Sequence, residues 1–225
     1  MEIQAEIRKF FGGGRSGLSG SKALGLEIFG SQGISQIRLP KAVAAEEGMR
    51  WAAVMGSATL LAPVTAMPTT TATMGLYNDS DDQQLVIDEV GYHLGSGTPT
   101  AGSALVVCNA GGIQTRPTMS TGSNGGYAGS QIGNLGTGKV GGGPAIFATA
   151  LTLLATGDGN PAWHIVAANP QALAAATFPA HVGRGKIDGG IIIPPRGVLG
   201  MAILSGTGTT PLFGFQVIFQ VEAAR

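Results

Sequence analysis

The chain is 225 residues long and 44% hydrophobic but only 6% aromatic, with 38 glycines and 12 prolines. Charged residues make up 12% of it, thirteen basic side chains balancing thirteen acidic ones. The length suffices for one large β domain with its own core, the glycines argue against long helices, and the charge balance argues against a polybasic nucleic-acid binder.

From Met1 to about Arg50 there is little apolar periodicity, and Gly12-Gly13-Gly14, Gly17, Gly20 and Gly30 interrupt the chain. This stretch holds seven basic residues (Arg8, Lys9, Arg15, Lys22, Arg38, Lys41 and Arg50) and five acids. It reads as an extended N-terminal arm over residues 1–50 with one short helical turn near Ala42 to Glu47. Such a segment buries too little surface to fold alone, so contacts with other chains are expected to order it. Arg8, Lys9, Arg15, Lys22 and Arg38 are the candidate partner-binding residues, meeting acidic patches on a neighbour. Met1 to Phe10 carry no apolar run resembling a signal peptide, and no stretch is long and apolar enough to span a membrane. Synthesis in a reducing cytoplasm is the expectation.

Residues 51–225 alternate strand and turn. Strands are predicted over Ala58 to Met67, Ala72 to Tyr77, Gln84 to Leu94, Ser103 to Asn109 and Ile113 to Met119. Further strands are predicted over Ala145 to Ala155, Ala162 to Ala167, Ile187 to Ile193, Val198 to Leu204 and Leu212 to Glu222. Turn residues separate them, among them Asn78-Asp79-Ser80, Gly111-Gly112, Pro194-Pro195 and Gly206-Thr207-Gly208. The last strand is the clearest: Phe213, Phe215, Val217, Phe219 and Val221 share one face, while Gly214, Gln216, Gln220 and Glu222 share the other with Ile218 as the exception. Ile191 to Ile193 and Val198 to Leu204 are apolar on both faces, which requires a central position or a cover from another subunit. Thr121 to Gly143 contains ten glycines and is predicted to be a long loop outside the core. Asn169 caps a predicted helical segment through Ala176, with Pro170 at its first position. Eight to ten strands of this kind suit an all-β, antiparallel two-sheet sandwich, with a jelly roll as the favoured variant and an immunoglobulin-like sandwich as the alternative.

The chemistry-bearing motifs are weak. Gly133-Asn134-Leu135-Gly136-Thr137-Gly138-Lys139 approaches a phosphate-binding P-loop, but Val140 stands where the magnesium-binding Ser or Thr belongs, and Gly141 to Pro144 cannot open the required helix. GxGxxG matches at Gly12 and Gly136 follow no strand and are expected by chance in a chain this rich in glycine. His93, His164 and His181 lack acid or thiol neighbours at ligand spacing and read as structural histidines. No Gly-x-Ser-x-Gly elbow occurs. Asn78-Asp79-Ser80-Asp81-Asp82 could gather oxygens around calcium weakly, but it lacks the glycine and terminal glutamate of an EF-hand loop, and an acidic hairpin tip is the plainer reading. Cys108, the lone cysteine, sits in the apolar run Leu105-Val106-Val107-Cys108 and reads as an inert core thiol. No catalytic residue, metal ligand or cofactor is assigned.

Three stretches carry a resemblance. They are Ala62 to Asn78 with its Pro-Thr-rich centre, Gln84 to Val90, and Ile193-Pro194-Pro195-Arg196-Gly197-Val198-Leu199-Gly200 continuing to Ser205 through Phe215. Together they resemble jelly-roll-like structural proteins of tailed bacteriophages that decorate or cement a capsid, over the region after Trp51. The resemblance implies a non-enzymatic homo-oligomer, often a trimer, at the capsid surface of the virion, with the major capsid protein or other virion proteins as partners and neither direct nucleic-acid nor membrane contact. The charge-poor body fits this, because charge is depleted where surfaces are covered by partners. A receptor-binding or tail-associated protein recognising glycans through Thr121 to Gly143 and Trp163 is the alternative. A jelly-roll capsid subunit is the second alternative.

Overall fold

A computed structural model describes residues 26–29, 34–37, 40–55, 60–99, 102–118, 130–141, 143–154, 160–169, 182–205 and 208–224. Strands β1 (Leu26–Phe29) and β2 (Ile34–Ile37) form a two-stranded antiparallel sheet of their own, and α1 (Pro40–Glu46) follows. The remaining strands are β3 (Arg50–Met55), β4 (Thr71–Asn78), β5 (Gln83–Pro99), β6 (Ser103–Ala110), β7 (Ser130–Asn134), β8 (Ala145–Thr152), β9 (Trp163–Asn169), β10 (Val182–Ile193), β11 (Val198–Ser205) and β12 (Gly208–Ala223). They form two five-stranded sheets, β10-β5-β12-β3-β7 (sheet I) and β8-β4-β11-β6-β9 (sheet II), with every pairing antiparallel. The protein is an all-β two-sheet sandwich. Among the described residues the sandwich has ten strands, where a jelly roll has eight, and the jelly-roll variant is not established. Among the described residues no helix is long and apolar enough to cross a membrane.

The core follows from two-residue alternation. Along β12, Phe213, Phe215, Val217, Phe219 and Val221 all point inward and none is more than 6% exposed. They meet Leu105 and Val107 of β6, Met74 and Leu76 of β4, and Leu199, Met201 and Ile203 of β11. Tyr92 crosses the sandwich from β5, its hydroxyl donating to Ser103 O at 3.1 Å and lying 2.8 Å from Ser103 Oγ. Glycine at 183 makes room for its ring, since a Cβ there would stand 2.0 Å from Tyr92 Cε1. β10 packs across β9 at one side of the sandwich and β7 across β8 at the other.

Val198 to Leu204 form the central strand of sheet II. Their outward side is covered within the chain: Val198, Tyr77, Cys108, Ala110, Ile146 and Ala148 form a second cluster with Leu151 and Leu153. Ile191 to Ile193 differ, because β10 is an edge strand and Ile192 is exposed.

Several expected elements are corrected. Residues 60–67 of the strand expected over Ala58 to Met67 make only single bridges, Leu61 to Phe213 and Val64 to Leu204. This stretch crosses from one sheet to the other, and Pro63 offers no ladder donor. Residues 113–118 are not a strand: the buried side chain of Gln114 bonds Gly111 O, Leu154 O and Leu154 N in place of a ladder. The loop expected over Thr121 to Gly143 contains β7, paired with β3 and burying Ile132. One apolar residue among small ones leaves no readable period, yet main-chain pairing suffices to recruit the segment. β3 itself went unassigned in the sequence reading. Asn169 ends β9, and the helix expected after it lies outside the described residues.

Candidate functional site

The densest polar constellation of the described residues surrounds Asp88, on the outer side of sheet I. Leu85 and Ile87 of β5 point into the core, and so do Val90, Tyr92 and Leu94. The parity of the strand therefore flips between Ile87 and Val90. The flip is a β-bulge: on β12 the consecutive Ile218 and Phe219 pair with Glu89 and Ile87, leaving Asp88 as the extra residue. On the other flank, Lys186 pairs with Glu89 and Ile191 with Ile87, so Ile187, Asp188, Gly189 and Gly190 of β10 stand opposite Asp88. Asp188 adopts a left-handed backbone (φ 47°), followed by Gly189 at φ 82°.

Three elements converge on the Asp88 carboxylate of β5, which is 2% exposed. Arg50 Nε of β3 donates to Oδ2 at 3.2 Å, and Gln220 Nε2 of β12 lies 3.1 Å from each oxygen. Lys41 Nζ of α1 is 3.5 Å from Oδ1 and donates to Asp188 Oδ1 at 2.6 Å. The hydrogen bond to Asp188 raises the Lys41 pKa against the opposing effect of burial, and the same bond lowers that of Asp188. Both Asp88 oxygens are engaged and shielded from solvent, so the constellation holds charge in place and ties α1, β3, β5 and β12 together. The sequence reading passed over it, although the broken alternation in Leu85-Val86-Ile87-Asp88-Glu89-Val90 signals the bulge.

The proposed partner-binding residues Arg8, Lys9, Arg15, Lys22 and Arg38 lie outside the described residues. Lys41 and Arg50, the other two basic residues of the 1–50 stretch, bond to the body as just described. At the β4–β5 turn, Asp79 receives Arg116 through paired bonds of 2.6 and 2.8 Å, and Asp81 receives Arg196 at 2.7 Å. The acidic tip is thus cross-linked by arginines. Beneath it Asn78, fully buried, donates to Gln83 O (2.7 Å), Pro194 O (3.0 Å) and Ile193 O (3.3 Å), joining the β4–β5 turn to the β10–β11 turn.

The P-loop-like segment is a hairpin turn whose amides face its own side chains. Asn134 Oδ1 accepts from Gly136 N and Thr137 N, Asn134 O from Gly138 N, and Thr137 Oγ1 from Lys139 N. These are the amides that would cradle a phosphate. His93 on β5, its pKa lowered by burial, and His164 on β9 lie in different sheets; His181 lies outside the described residues. No group of three or more His, Cys, Asp or Glu side chains among the described residues could hold a metal ion.

Two shallow grooves flank Met67. One, of about 400 Å³, is lined by Thr65, Ser103, Asn169 and Ser205 among others, and the second, of about 490 Å³, by Leu61, Val64, Pro68 and Thr149 among others. Neither lining contains an ionisable side chain. Trp163 packs on the second cluster and donates its indole N–H to Thr69 O at 3.1 Å. It lies on β9, at the opposite side of the sandwich from β7 and the turn that follows it, so Trp163 and residues 130–141 are not brought together. Comparison with known proteins finds no matching family model, curated protein or solved structure.

Proposed function

We propose that this chain is a non-enzymatic structural protein of a virus particle, of the capsid decoration or cement type, acting by self-association and by attachment to neighbouring virion proteins. The observation that carries the reading is strand β9. It is a sheet edge with no charged residue, and it presents Ile165 at 60% exposure beside exposed His164 and Ala168. A freestanding protein protects such an edge with lysine or proline, whereas an assembling one uses it as a contact. The polar constellations support the same reading, since Asp79, Asp81 and Asp88 are engaged in ties within the chain. The arm contributes Arg8, Lys9, Arg15, Lys22 and Arg38 to a capsid partner, and a homotrimer is the form that the resemblance to phage decoration proteins implies. The glycan-binding alternative is not favoured, because the Trp163 N–H is spent within the chain and residues 130–141 lie on the far side of the sandwich.

Sedimentation of the purified chain over a wide concentration range tests the reading. The expected result is a defined oligomer that Ile165→Lys dissociates while the β spectrum persists. A monodisperse monomer at high concentration that also fails to co-sediment with particles lacking the protein overturns it.

A further inference from the structure

Two neighbouring strands of sheet I are deformed at one level, and both deformations deliver a carboxylate to the same ammonium group. β5 gains one residue that turns Asp88 to the outer side of the sheet, while β10 loops four residues out and sets Asp188 in a left-handed conformation. Lys41, in the first turn of α1, takes both. Backbone outliers of this kind persist only where the surrounding structure holds them, and they cluster at functional sites.

We infer that Lys41 and the Asp188 bulge form a release catch for α1, from which residues 40–47 swing off the sheet while the sandwich stays folded. α1 has seven residues, and over residues 41–46 Ala44 is the one buried hydrophobic side chain; a helix so short is marginal without its docking contacts. Opening leaves neither of these two carboxylates stranded. When Lys41 withdraws, Asp88 keeps Arg50 at 3.2 Å and Gln220 at 3.1 Å, which avoids the heavy cost of leaving a buried ion alone. Asp188, 62% exposed, returns to water beside Lys186. The pivot is also present. Gly48 sits at φ 71° between α1 and β3, and its carbonyl accepts from Asn134 Nδ2 while Met49 O accepts from Val221 N. The chain beyond the pivot therefore stays pinned to the sheet.

The inference concerns the isolated chain and is independent of what the chain assembles with. Native-state hydrogen exchange on the full chain tests it, comparing the Glu47 and Gly48 amides, which close the helix on Val43 O and Ala45 O, with those of Gln216 to Gln220 in β12. The expected result is exchange at Glu47 and Gly48 through a local opening insensitive to low denaturant, while β12 exchanges only on global unfolding. Asp188→Asn lowers protection at the two helix amides about two- to fivefold, the range for exposed ion pairs, and leaves β12 unchanged. Lys41→Met, which keeps the aliphatic stem, does the same and serves if the first variant folds poorly. Helix amides that exchange only together with β12, or that keep full protection in both variants, overturn the inference.

Discussion

Asn78→Ala is expected to be among the most damaging polar substitutions in the protein. The wild-type carboxamide is fully buried, donates to the carbonyls of Gln83, Pro194 and Ile193, and accepts from Ser80 N at 3.1 Å. Its nitrogen has two hydrogens for three carbonyls, so two full donated bonds and one accepted bond are lost. At about 1 kcal/mol net for each bond, with extra cost where a buried carbonyl is stranded, the deficit comes to about 3–5 kcal/mol. That is a large part of a domain stability of about 5–15 kcal/mol. Asn78→Asp keeps the shape but turns a carboxylate towards those carbonyls, so burial and the lost donor raise the folded-state pKa of the new acid. A raised carboxyl pKa means that the folded state holds its proton longer than the unfolded chain. The deficit relative to wild type therefore grows as pH rises from about 4 to 7. Urea unfolding followed by the fluorescence of Trp51 and Trp163, with wild type and both variants measured at each pH, gives these numbers directly. A deficit below about 1 kcal/mol for Asn78→Ala, or a pH-independent deficit for Asn78→Asp, refutes the reasoning.

Gly183→Ala is expected to cost about 1–3 kcal/mol by overpacking, because its Cβ would stand 2.0 Å from Tyr92 Cε1; loss of the Tyr92–Ser103 bond, seen as a shifted tyrosine absorbance, checks it. Burial pushes the Cys108 thiol up to about 12, so the native protein at pH 8 should resist a thiol-directed reagent that labels it within minutes in denaturant. His93 has its pKa lowered by burial, so it contributes stability above the unfolded value of about 6.5 that is lost as pH falls through the folded value. His93→Gln should flatten that part of the stability profile, and an unchanged acid limb contradicts the assignment.

The fold was legible wherever side chains alternate against a core. β12 announces itself through Phe213 to Val221, and β4, β5, β6, β8, β9, β10 and β11 all overlap predicted strands. The failures have physical causes. β7 has Ile132 as its one large apolar residue and is held by main-chain bonds to β3, which no side-chain period records. Residues 60–67 looked like a strand because Leu60, Leu61 and Val64 are apolar, but they half-bury those side chains while crossing between sheets. Of the polar site, Asn78 was visible only as a turn residue, since its three carbonyl partners come from turns more than a hundred residues apart. Asp88 was the nearer miss. The parity break around it is local, and reading alternation as a test of continuity would have located it.

The extra residue at Asp88 also determines which sliding motions the sheet permits. A strand patterned like β12 looks the same to its neighbours after a shift of two residues, because aromatic or branched side chains recur at every second position from Phe213 to Val221. Hydrophobic sorting forbids slips of one residue and is indifferent to slips of two. The bulge breaks that degeneracy. Only one alignment brings the Gln220 carboxamide over the Asp88 carboxylate and seats the unpaired residue between Ile218 and Phe219, so any even-numbered slip takes the Gln220 donor away from a buried carboxylate. It works as the key in a keyway, giving a repetitive strand a unique zero.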